Sequence, residues 1–201
     1  NSLYIKIMTM NNVLIVISTI IVLIAPLVYV RAILKGKAKP HRTTRLVILV
    51  ISALATAALF AQGNRVAIWL AGASTLSCLL LFLMSIKRGM GGWSKSDITC
   101  LSIAIIGIYL WQTTQNSLIA LYAAIMSDFV GMVQSLIKTY KFPETEIASF
   151  FALDIIAGSL SLMALQAWTF ADYSYPLYIV MINITMVILI RFKPGKYLRA
   201  P

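Results

Sequence analysis

Acidic residues are what this chain has least of: six Asp and Glu stand against 17 Lys and Arg in 201 residues, and only 11% of positions carry a charge. A soluble domain holds about a quarter charged residues, so the composition excludes an ordinary water-soluble fold. Histidine occurs once, at His41, and cysteine twice, at Cys78 and Cys100. Zinc and haem sites draw on several such side chains, so neither a metal nor a cofactor is expected. No Ser/His pair lies within reach, no glycine-rich phosphate loop occurs, and the Gly-x-Ser-Gly and Gly-x-Gly-Asp patterns of intramembrane proteases are absent. The chain is therefore not read as an enzyme. Its last apolar run contains no lysine, which removes a retinal Schiff base from consideration.

What the chain has instead is apolar length. Hydrophobic residues make up 60% of it, and mean hydropathy is +0.89. No residue is charged in Ile7–Val30, Leu46–Asn64, Val66–Ile86 or Ile98–Ser127. Runs near twenty residues are what a helix needs to cross about 30 Å of hydrocarbon. The expected fold is an all-α, polytopic membrane protein with seven transmembrane helices near 11–34, 44–62, 66–86, 97–114, 117–139, 147–169 and 174–191. The polar stretch Thr113–Ser117 is read as a turn, because an unbroken helix over 98–137 would be about 60 Å long.

The basic residues orient these crossings. Arg31, Arg42 and Arg45 flank the first connection, Lys87 and Arg88 the third, Lys138 and Lys141 the fifth, and Arg191 and Arg199 the C-terminus. In all, 15 of the 17 lie on one side, leaving Lys6 and Arg65 on the other. That asymmetry puts the N-terminus outside and the C-terminus in the cytoplasm. The net charge of +11 is then a topology signal with attraction to anionic lipid, and no nucleic-acid partner is needed to explain it.

The chain also echoes itself at an offset of 103 residues: Val30 falls on Val133, Lys35 on Lys138, Pro40 on Pro143 and Arg88 on Arg191. The shared order is apolar run, lysine, loop, proline, apolar run, turn, apolar run, arginine. Repeat one is placed at 11–88, a linker helix at 97–114, repeat two at 117–191 and a cytoplasmic tail at 192–201. Four crossings separate the copies, so both enter the membrane in one direction, about an axis along the bilayer normal. Parallel repeats of this kind put a solute site near mid-membrane, between the halves.

Three polar residues are candidates for that site. Asp128 and Asp154 are carboxylates inside apolar helices, where they are costly and usually face a cavity or a partner. At 1.5 Å per residue, Asp128 lies about 15 Å from Lys138, Asp154 about 12 Å from Glu146, and Asn183 about 12 Å from Arg191. Pro26, about 13 Å from Lys35, shares this depth and is a candidate kink. The alternative is that each polar group is satisfied locally. Arg42 and Glu146 begin equivalent helices of the two repeats and are a candidate cytoplasmic latch, set against the favoured reading of the arginine as a topology signal and the glutamate as a first-turn cap.

The 3-1-3 helix order, the external N-terminus and the duplicated segment together resemble the SWEET and PQ-loop transporter superfamily. The resemblance is architectural and covers nearly the whole chain. The superfamily's Pro-Gln signature falls in the first helix of each repeat. Here the second copy reads Gly131-Met132-Val133-Gln134-Ser135, with valine in place of the proline, and the first has Pro26 about one turn early, followed by Leu27. Lys39-Pro40-His41-Arg42, Gly91-Gly92-Trp93-Ser94 with Asp97, and Ser127-Asp128 resemble segments of a group of bacterial membrane proteins, which implies a bacterial inner membrane. The resemblance implies transport of a small-molecule solute by alternating access, with Pro26, Gly131 and Gln134 easing helix motion. A sugar, an amino acid and a nucleoside precursor remain open as the solute. The competing expectation is a non-transporting subunit, scaffold or receptor of the same fold, and a homo-oligomer is compatible with either.

Overall fold

A computed structural model describes residues 2–36, 40, 42–89 and 92–192, with the side chains of 2–9, Gln134, Lys138 and Thr145 outside that description. The described residues form α1 (Ser2–Leu34), α2 (Arg42–Ala61), α3 (Ala67–Arg88), α4 (Lys95–Thr114), α5 (Ser117–Lys141), a 3-10 turn (Pro143–Thr145), α6 (Ala148–Met163) and α7 (Phe170–Phe192). Six of the seven α-helices are long and apolar enough to cross a membrane. The chain is thus an all-helical integral membrane protein.

The exception is α6. The expected crossing at 147–169 stops at Met163, leaving 16 residues, or about 24 Å of rise against about 30 Å of hydrocarbon. The cause is a helix start that hydropathy does not register. Thr169 donates its hydroxyl proton to Asp172 at 2.5 Å, and the Asp172 and Tyr173 N–H groups donate to the Thr169 carbonyl. A Thr-x-x-Asp pair of this kind opens a helix, so α7 begins at Phe170, four residues earlier than expected.

Other ends follow local chemistry. Ser94 and Asp97 form a reciprocal capping box at α4, with Asp97 N–H on Ser94 Oγ at 3.1 Å and Ser94 N–H on Asp97 Oδ2 at 3.0 Å. Asn64 Oδ1 accepts the Val66 and Ala67 N–H groups at 3.0 and 2.7 Å and starts α3. The polar stretch after Thr113 is indeed a turn. Gln115 closes α4 at φ 54°, and Asn116 caps α5 through the Leu118 N–H at 3.0 Å.

Helix pairing has a simple form. α3 stands between α1 and α2, α7 stands between α5 and α6, and the two triplets meet through α1–α6, α2–α5 and a lighter α3–α7 contact, with α4 laid against α5. Exchanging α1–α3 for α5–α7 returns the named pairings within and between the triplets, while α4, on α5 and α2, stands outside the exchange. Adding 103 to the bounds of α3 gives 170–191, against Phe170–Phe192 for α7.

With lipid outside, apolar burial does not select helix partners, so small residues and hydrogen bonds do. Gly107 of α4 lies so close to Ala123 of α5 that a Cβ there would stand 2.1 Å from the alanine Cβ, and a Cβ at Gly158 of α6 would stand 2.7 Å from Val180 of α7. Ser18 donates to the Ala157 carbonyl across α1–α6 at 2.8 Å, and Ser127 donates to the Cys100 carbonyl across α4–α5. Pro26 sits buried inside α1, which continues through it. Having no N–H, it leaves the Val22 carbonyl without its helical donor. Ser77 of α3 supplies one at 2.8 Å.

Candidate functional site

A cavity of about 540 Å³ lies between the two triplets. Asp128 of α5, Asp154 of α6 and Asn183 of α7 all stand on its wall, together with Gly131 and Glu146. The wall reaches Pro40, Thr44 and Arg45 at the basic end of the helices, and Ala55, Ser74 and Tyr175 at its deepest. From Arg42 to Ala55 is about 20 Å of helix, so the cavity penetrates beyond mid-membrane.

The central polar groups of the wall differ in their hydrogen bonding. Asp128 accepts the hydroxyl proton of Tyr178 on its Oδ2. Asp154 meets no hydrogen-bond donor among the described residues. Asn183, only 6% exposed, donates its amide to the Ile179 carbonyl one turn back at 2.7 Å. That is the local satisfaction weighed from the sequence, but it uses only the N–H side and leaves Oδ1 unbonded among the described residues. Ser52 donates to the Leu49 carbonyl at 3.0 Å and Ser77 to the Val22 carbonyl, so both hydroxyls present lone pairs.

Toward the basic end the wall becomes aromatic. Arg45 lies over the Tyr29 ring at 4.9 Å, Tyr29 packs on Phe150 at 5.5 Å, and Phe150 on Phe151 at 5.1 Å. Arg42 takes another course: its Nε donates to the Gly89 carbonyl at 3.0 Å, which ties the start of α2 to the end of α3. Arg88 donates to the Leu34 carbonyl at 3.2 Å and adds α1 to the same corner. Of the residues expected to ease helix motion, Gly131 faces the cavity while Pro26 lies off the wall. The side chain of Gln134 lies outside the described residues.

The opposite end is shut. Val66, Ala164 and Leu165 form a buried cluster with Leu14, Ile15, Leu162 and Tyr173. Above it, Asn64 Nδ2 donates to Asp172 Oδ1 at 2.9 Å, joining the α2–α3 turn to the start of α7. The side-chain amide of Gln62 is buried here with no hydrogen-bond partner among the described residues.

Sequence reasoning missed several members of the site. Tyr175 is 5% exposed and faces the cavity; position along a helix gives depth but not facing. Tyr178 carried a usable signal: it lies about 20 Å from Arg191 along α7, too deep for an interfacial belt. Ser52, Ser77 and Cys78 gave none, since small polar residues occur throughout apolar helices. No known protein family, curated protein or solved structure matches this chain.

Proposed function

We propose that this protein is a membrane carrier that moves a small polar solute, such as a sugar, amino acid or nucleoside precursor, by alternating access. In this reading the architecture is that of the SWEET and PQ-loop superfamily. Repeats α1–α3 and α5–α7 are parallel, α4 links them, α6 makes a short seventh crossing, and the N-terminus faces outward. The observation that carries the reading is the cavity itself. It lies between the triplets, holds the three intramembrane polar residues Asp128, Asp154 and Asn183, extends to the basic end, and is closed at the other. A volume near 540 Å³ falls within the ~300–1,000 Å³ of small-molecule sites. The positive-inside asymmetry makes the basic end cytoplasmic, so the conformation is an inward-facing one.

Native Cys78 lies on the cavity wall, whereas Cys100 is buried. In a Cys100→Ala chain, a membrane-impermeant thiol reagent should modify Cys78 from the cytoplasmic side, and from the outer side whenever the carrier turns over. Reaction from one side only, under every condition, would sink the carrier and favour a scaffold or receptor of the same fold.

A further inference from the structure

We propose that the solute held in this cavity is a small organic cation, an amine or guanidine with an apolar body. The word solute rests on the carrier reading; the charge rests on the wall. The chain has six carboxylates in all, and Asp97, Asp128, Glu146 and Asp154 are on this wall, where Arg45 is the one basic side chain among the described residues. A strongly basic protein has thus gathered its few acids around one space.

Two of the four are committed at the periphery. Asp97 caps α4 through Ser94, whose Oγ also donates to Asp97 Oδ2 at 2.8 Å, and Glu146 precedes α6 near the mouth. Asp128 and Asp154 lie deeper, on different helices. Tyr178 gives Asp128 one neutral hydrogen bond and no positive charge, and Asp154 has no donor among the described residues. A carboxylate at this depth is costly unless a cation or a set of donors compensates it.

The second, independent observation is the direction of the hydrogen bonds. Tyr178, Ser52 and Ser77 all spend their protons on protein acceptors. Asn183, more than nine-tenths buried, spends its N–H likewise and keeps its carbonyl oxygen. These groups therefore form an acceptor-rich patch on the wall, whose other hydroxyls include those of Thr44, Ser74, Ser135 and Tyr175 and whose guanidinium is that of Arg45. Ammonium and guanidinium groups are donors without acceptors, so they complement this patch; a carboxylate or phosphate does not. Tyr175 and Tyr178 stand on the same wall, and aromatic rings attract cations. A bare metal ion fits poorly, because among the described residues no three His, Cys, Asp or Glu side chains converge as ligands.

The test uses the full chain with Cys100→Ala in proteoliposomes. The probes are choline, agmatine and cadaverine as cations, glucose as a neutral solute and glutamate as an anion. Two quantities are read: the rate of Cys78 modification by a small neutral thiol reagent, and radiolabel uptake. At least one cation should slow modification about tenfold at saturation, and Asp154→Asn should weaken its binding at least tenfold while Asp154→Glu retains it. Thermal melting checks that each variant is folded. Protection by glucose or glutamate alone, no protection by any cation, or cation protection unchanged in both Asp154→Asn and Asp128→Asn overturns the proposal. Cation protection without uptake upholds the cation site and defeats the carrier reading; uptake of glucose or glutamate alone does the reverse.

Discussion

Asn64 and Asp172 are 108 residues apart in the chain and share a 2.9 Å hydrogen bond. Each is also a helix-starting residue: Asn64 caps α3, and Asp172 receives the Thr169 hydroxyl at α7. The bond therefore joins the two turns that begin α3 and α7, helices that exchange under the 103-residue offset. It lies at the end of the molecule where the cavity is closed.

Breaking that bond should loosen the closed end. Asn64→Ala removes a cap together with the link to Asp172, and is expected to cost about 1–3 kcal/mol by denaturant titration of the purified protein. In the carrier reading, either Asn64→Ala or Asp172→Ala also raises Cys78 reactivity from the outer side. An unchanged outer-side rate with a lowered stability would assign the bond to structure alone.

Ser77 and Pro26 should behave as a coupled pair. Ser77→Ala leaves the Val22 carbonyl without a donor and is expected to destabilise by roughly 0.5–2 kcal/mol. In a Pro26→Ala background the restored Ala N–H reaches that carbonyl, so the same serine substitution should cost much less. A double-mutant cycle by thermal or denaturant unfolding measures the difference. Additive effects would contradict the pairing.

The glycines divide by what a methyl group would meet. At Gly107 it would lie 2.1 Å from the Ala123 Cβ, whereas at Gly131 the nearest atom is Cys100 Sγ at 3.4 Å. Gly107→Ala is expected to destabilise by about 1–3 kcal/mol through overpacking, with Ala123→Gly restoring most of the loss. Gly131→Ala should leave the melting temperature nearly unchanged. If it nonetheless slows transport, Gly131 has the role in helix motion expected of it.

Removing the Tyr178 hydroxyl isolates the contact at Asp128. Tyr178→Phe keeps the ring but takes away the donor, and is expected to cost about 1.5–3 kcal/mol while Asp128 is charged. In an Asp128→Ala background the same change should be close to neutral. Parallel unfolding curves of the four proteins decide this, and equal costs in both backgrounds would show that the hydrogen bond contributes little.

Depth was readable along the chain; facing was not. Asp128, Asp154 and Asn183 could be placed near one level because the helical rise is constant and the basic residues mark one end. That Tyr175 joins them while Pro26 does not depends on rotation about each helix axis, which apolar sequences facing lipid on one side and protein on the other scarcely encode. The shortened α6 and the early start of α7 depend on Thr169 and Asp172, a polar capping pair that a hydropathy window averages away.

By itself the sequence determined an all-helical membrane chain, the run of apolar segments, the excess of basic residues at one end and the 103-residue echo. These follow from quantities that add along a chain: hydropathy, charge and spacing. Only the tertiary structure decided that α3 and α7 each stand inside a triplet, that two carboxylates and a spent amide face one cavity, and that the other end is shut. Those outcomes require groups far apart in sequence to meet. In this protein the decisive meetings are single hydrogen bonds and methyl-sized contacts between helices, such as Ser77 on Val22 and Gly107 on Ala123, whose partners no local pattern names.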